Sequence, residues 1–96
     1  MNPLTPIITK NINGGFQKIY RFENGYGASV VNHNFSYGLE LAVIIFYENS
    51  DRFKLCYDTE ITSDVIGYLT ENKLNKLLKD IENLPKIKPL KVVNHE

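Results

Sequence analysis

Cys56, His33 and Asp58 are the residues that could supply a thiol nucleophile, a base and an orienting carboxylate. That chemistry needs a thiolate, stabilised by a helix N-terminus, a cation or an adjacent imidazole. Cys56 instead lies between Leu55 and Tyr57 in an apolar run without a basic neighbour. It reads as an inert, partly buried thiol. Ser29, Ser36 and Ser63 lack the glycine-flanked strand-to-helix turn that exposes a hydrolase serine. One cysteine and two histidines, His33 and His95, also fall short of a structural zinc set. The expectation is a chain with no catalytic residue, no metal and no cofactor.

Charge is distributed unevenly along the chain. Asp58, Glu60, Asp64 and Glu71 gather in a stretch with no Lys or Arg between Lys54 and Lys73. As a calcium loop this stretch lacks the mid-loop glycine and the closing bidentate glutamate. Capping and solvation account for it more simply, and an acidic patch facing a basic partner is the functional alternative. From Lys73 to Lys91 six lysines stand against Asp80 and Glu82. With Tyr20, Phe22 and Tyr26 as stacking platforms they would suit a nucleic acid. Yet the arginines are only Arg21 and Arg52, formal net charge is zero, and lysines on an outer helix face are ordinary solvation. Nucleic acid is therefore the second choice. The loop from Asn32 to Gly38 holds Phe35 and Tyr37 among polar donors, a composition suited to recognition. Plain turn chemistry with Phe35 tucked into the core is the competing expectation.

The elements that must position these residues follow from periodicity. Residues 1–15, with Pro3, Pro6 and Gly14-Gly15, read as a flexible N-terminal arm. Phe16 to Glu23 and Tyr26 to Asn34 flank Asn24-Gly25, the preferred pair for a two-residue type I′ hairpin turn. That turn would set Phe22 opposite Gly27, Tyr20 opposite Ser29 and Ile19 opposite Val30. Leu39 to Tyr47 is apolar at both parities, the mark of a strand covered on both faces. Arg52 to Tyr57 alternates and reads as a fourth strand. Thr62 or Ser63 could cap a short turn broken near Gly67. Thr70 caps the main helix, whose Leu74, Leu77, Leu78, Ile81 and Leu84 form one stripe ended by Pro85.

The expected fold is thus α+β, a four-stranded antiparallel meander followed by a C-terminal amphipathic helix. It comprises one domain over residues 16–84 and a tail over 85–96. A single helix covers one sheet face, which would leave Ala42, Ile44, Phe46 and Ile19 or Val30 exposed. The arms or a homodimer packed through that face would have to cover them, and the homodimer is preferred. An apolar share of 43% suits a globular chain, and Leu41 to Tyr47 is too short an apolar run to span a bilayer. The single cysteine, and a start that does not read as a signal peptide, point to a soluble cytoplasmic protein.

Several stretches also resemble a known group of sequences. They are Arg21-Phe22-Glu23-Asn24-Gly25-Tyr26-Gly27-Ala28-Ser29-Val30-Val31, Phe35-Ser36-Tyr37-Gly38, Leu39-Glu40-Leu41-Ala42-Val43, Tyr57-Asp58-Thr59 and Asp64-Val65-Ile66-Gly67-Tyr68-Leu69. Together they resemble a family of small uncharacterised bacteriophage proteins, over Tyr20 to Leu84. No activity comes with that resemblance. What it implies is a phage origin, hence a non-enzymatic protein that sequesters or inhibits a host protein, a defence factor in the manner of an anti-CRISPR being the leading version. Binding is expected at Tyr37, Asp58, Glu60, Asp64 and Tyr68. A nucleic-acid accessory protein and a small-molecule sequestering protein are the alternatives.

Overall fold

The computed structural model describes residues 4–91. Five strands, β1 (Ile8–Ile12), β2 (Gly15–Arg21), β3 (Tyr26–Asn32), β4 (Glu40–Phe46) and β5 (Phe53–Leu55), precede one helix, α1 (Glu71–Glu82). The strands form an antiparallel sheet in the order β1-β2-β3-β4-β5. This is the α+β meander with a C-terminal helix, enlarged by one strand. The extra strand comes from the segment expected to be an arm. Asn13 and Gly14 both take positive φ, 46° and 79°, and turn β1 onto β2 with Ile12 opposite Gly15. The type I′ turn therefore sits at Asn13-Gly14.

Asn24-Gly25 forms a different turn, which corrects the expected register. The Phe22 N–H donates to the Tyr26 carbonyl at 2.9 Å, and the Gly25 N–H to the Phe22 carbonyl at 3.3 Å. Gly25 has φ of 95°, whereas Asn24 is not among the residues with positive φ. This is a three-residue loop, a type I turn closed by a left-handed glycine. It shifts the pairing by one residue, so Arg21 faces Gly27, Tyr20 faces Ala28 and Ile19 faces Ser29. Phe22 and Gly27 are not cross-strand partners. Gly27 still lies under an aromatic ring, but the ring is Phe46 from β4.

The sheet buries apolar residues on both faces. On one side Tyr20, Ala28, Val30, Leu41 and Val43 pack with Cys56, Leu74, Leu78, Ile81 and Leu84 in the main core. Leu74, Leu78 and Ile81 of the expected stripe are buried as their spacing predicts, but the helix ends at Glu82, before Leu84, which reaches the core from beyond the Asn83 C-cap. The Thr70 hydroxyl accepts from the Lys73 N–H at 3.2 Å as the N-cap. On the other side Ile19, Ile44 and Phe46 pack against Phe53. The Arg21 guanidinium lies 4.4 Å from the centre of the Phe46 ring and is itself held by Asp51 and the Ser50 carbonyl. Ile44 and Phe46 are at most 1% exposed, and Ile19 and Ala42 are buried too. The patch expected to need a second copy is closed within the chain, and Val30 belongs to the helix-covered face. The physical reason is local: a large ring and a stacked arginine cover a small apolar area without another layer.

One further expectation changes. No helical turn forms at Thr62 or Ser63. The Thr62 hydroxyl accepts from the Asp64 N–H and donates to the Asp64 carbonyl, and the Thr59 hydroxyl accepts from the Ile61 N–H and donates to the Thr62 carbonyl, so hydroxyl-backbone bonds replace helical ones. In the tail Leu90 bridges Tyr47 in parallel, filling the place beside β4 that β3 vacates at its turn. Residues beyond 91 lie outside the described part of the chain.

Candidate functional site

The fifth strand is interrupted, and the interruption builds the site. After β5 the Cys56 N–H still donates to the Val43 carbonyl, so the chain hugs the edge of β4. It then departs and returns at Ile66, which exchanges two 2.9 Å backbone bonds with Leu41. Leu69 N–H to Leu39 carbonyl and Tyr68 N–H to Tyr37 carbonyl continue the ladder. Residues 57–65 are thus an excursion from one edge. Asp58, Glu60 and Asp64 ride on it, all exposed. The ion pairs among the described residues are Arg21–Asp51 and Lys76–Asp80, so these acids face solvent unpaired.

Where the chain rejoins β4, two aromatic residues meet. The rings of Tyr37 and Tyr68 are 6.1 Å apart at 49°, and the backbones beneath them are joined by a 2.7 Å bond from the Tyr68 N–H to the Tyr37 carbonyl. Glycines make this approach feasible. A Cβ on Gly67 would stand 2.7 Å from the Tyr37 Cβ, and Gly38, at φ of 61°, lies under the Tyr68 ring. Each tyrosine covers the glycine beside the other. Tyr68 itself takes φ of 53°, a left-handed conformation costly for a bulky residue.

The loop bearing Tyr37 is braced from inside. The Ser36 hydroxyl accepts from the His33 N–H at 2.9 Å and reaches the Gly38 carbonyl at 2.7 Å. His33 Nδ1 accepts from the Phe35 N–H, and a Glu40 carboxylate oxygen accepts from the Tyr37 N–H. Held this way, Phe35 is 80% exposed, Tyr37 60% and Tyr68 79%. The expectation that Phe35 enters the core is therefore corrected: the Ser36 knot fixes a loop whose ring points outward. Ordered, exposed aromatic side chains cost little entropy to dock.

The structure brings Tyr37 and Tyr68 together and leaves Asp58, Glu60 and Asp64 on the neighbouring excursion. Phe35 was missed as a site residue because its apolarity argued for burial. A usable signal was the mirrored pair Tyr37-Gly38 and Gly67-Tyr68, which reads as two backbones crossing closely.

Other chemistries find less support in these positions. Tyr20 and Phe22 lie in the main core and Tyr26 packs against it, so the strand aromatics offer no open stacking platform. Cys56 is buried there as well. Among the described residues no group of three or more His, Cys, Asp and Glu side chains is placed to hold a metal. Nor is any described helix long and apolar enough to cross a membrane. No protein-family model, curated protein or solved structure matches the chain.

Proposed function

We propose that this chain is a small phage-encoded, non-enzymatic binding protein that sequesters or inhibits a host protein, a defence factor being the leading candidate target. The observation that carries the protein-binding reading is the Tyr37–Tyr68 pair, solvent-exposed on a hydrogen-bonded frame, with exposed Phe35 two residues from Tyr37 on the same loop. Clustered aromatics exposed to water are unfavourable for a lone chain and characteristic of contact surfaces. The phage origin rests on the resemblance of the motifs. The acids of the excursion, Asp58, Glu60 and Asp64, would add complementarity to a basic rim on the partner.

Tyr68→Gly tests the reading without confusing binding with folding. Glycine relieves the left-handed strain, so the variant should be at least as stable, by up to about 1 kcal/mol. Loss of a central aromatic anchor should cost about 2 kcal/mol of binding, roughly thirtyfold in affinity. The measurement is capture from host lysate with the wild-type chain, followed by affinity measurement on the captured protein with both forms. A stoichiometric host protein that Tyr68→Gly and Tyr37→Ala release supports the proposal. Capture of nucleic acid alone, or of a protein indifferent to both substitutions, refutes it.

A further inference from the structure

Beside the tyrosine pair, a groove runs between the returning segment at Ile66–Leu69 and the outer side of α1. Ile66, Leu69 and Leu77 give it half-buried apolar walls, Tyr68 stands at its rim, and Lys73 and Lys76 line the helix side. No acidic side chain lines it. We propose that this groove takes a short acidic segment of a partner protein, with one aliphatic side chain seated on Leu69 and Leu77 and flanking carboxylates on Lys73 and Lys76. The proposal rests on the protein-binding reading, since Tyr68 belongs to both surfaces, and it adds the chemistry of what is bound.

The charge pattern selects the occupant. Lys73 has no ion-pair partner among the described residues, and Lys76 shares its charge with Asp80 at 2.8 Å on the exposed side of the helix. Lys73 also lies in the first turn of α1, where the helix dipole favours an incoming anion. Glu71, the acid of that turn, is about half a helical turn away around the axis and does not line the groove. Apolar walls alone would accept many side chains. The lysines discriminate against a basic segment and favour one carrying Asp or Glu beside its anchor.

The probe is a fluorescein-labelled peptide of Asp and Glu residues with a single central Leu, titrated with the full chain and read by anisotropy. Binding is expected, weakening as salt is raised because the charges involved are solvent-exposed. Lys73→Glu, a surface change that leaves the apolar walls intact, should reduce affinity about tenfold or more. Replacing the peptide's Leu by Ser should reduce it comparably. Absence of binding, or binding that survives Lys73→Glu or loss of the Leu, overturns the proposal. The two readings fail separately. A host protein released by Tyr37→Ala but untouched by Lys73→Glu would leave the tyrosine pair standing and remove the groove. Peptide binding that meets every condition, with no host protein captured, would do the reverse.

Discussion

At the scale of single residues, Asn24 ties the first half of the chain to the second. Its Nδ2 donates to the carbonyls of Ile81, Glu82 and Leu84 at 2.8, 3.1 and 3.1 Å, and its Oδ1 accepts from the Tyr26 N–H. A hairpin residue thus caps the carbonyls at the end of α1 and just beyond it, joining the Leu84 N–H on the Ile81 carbonyl. Its own carbonyl accepts from the Ile87 N–H, fastening the tail as well. Asn24→Asp keeps the size and removes the donor, placing a carboxylate against three carbonyls at the negative end of a helix. The expected cost is about 3 kcal/mol at neutral pH by urea denaturation, more than for Asn24→Ala. Part of it should return on acidification, when the protonated carboxyl again donates. The sequence shows an Asn-Gly pair at this point and cannot show its use. The same dipeptide fits a two-residue turn or the three-residue loop found here, and contacts with α1, some sixty positions on, fix which one forms.

At the scale of elements, the spacing of β2, β3 and β4 depends on Gly27. A Cβ there would lie 2.1 Å from the Tyr20 carbonyl oxygen and 2.5 Å from the Phe46 ring. Neither can yield, since one is backbone of the paired strand and the other fills the small core beside Ile19 and Ile44. Gly27→Ala should therefore destabilise by about 3 kcal/mol, the upper range for overpacking, read as a lowered urea midpoint with an unchanged slope. A loss below about 0.5 kcal/mol would mean that Phe46 does not rest on this strand. Elements with strong periodicity were legible: α1 from its leucine stripe and Thr70, and β4 from apolar residues at both parities. β1 was not. Its Thr9, Lys10 and Asn11 are exposed at a sheet edge, so pattern gave no sign of a strand, and only Asn13-Gly14 marked the turn that makes one. The resumption of pairing at Ile66 was hidden for another reason. An excursion of nine residues, 57–65, separates it from β5, and no local rule says that a strand will return to the edge it left. Of the site, Tyr37, Tyr68 and the acids were readable as surface residues, while the contact between the two rings was a product of that return.

At the scale of the whole molecule, two cores on opposite faces of one sheet are joined by β2, β3 and β4, and two tyrosines on the main-core side, Tyr20 within it and Tyr26 against it, link stability to pH. Burial raises the Tyr20 phenol above its usual 10.0, with the Glu71 carboxylate adding to the effect, and burial likewise raises Tyr26, with Cys56 contributing. Both phenols are neutral when protonated, so the folded state holds their protons more tightly than the unfolded chain does. The stability this confers is fully present below the unfolded value and is lost as pH rises through the folded values. Unfolding should therefore be insensitive to these groups near neutrality and become easier from about pH 10 upward. Tyr20→Phe keeps the ring in the main core and removes the ionisation, so the fall in urea midpoint between about pH 8 and pH 11 should be shallower than in the wild-type chain. Tyr26→Phe should act in the same direction, more weakly, because Tyr26 is only partly buried against that core. Equal slopes in all three proteins would show that neither phenol holds its proton more tightly in the folded chain than in the unfolded one. The helix would then not be the lid that excludes water from Tyr20.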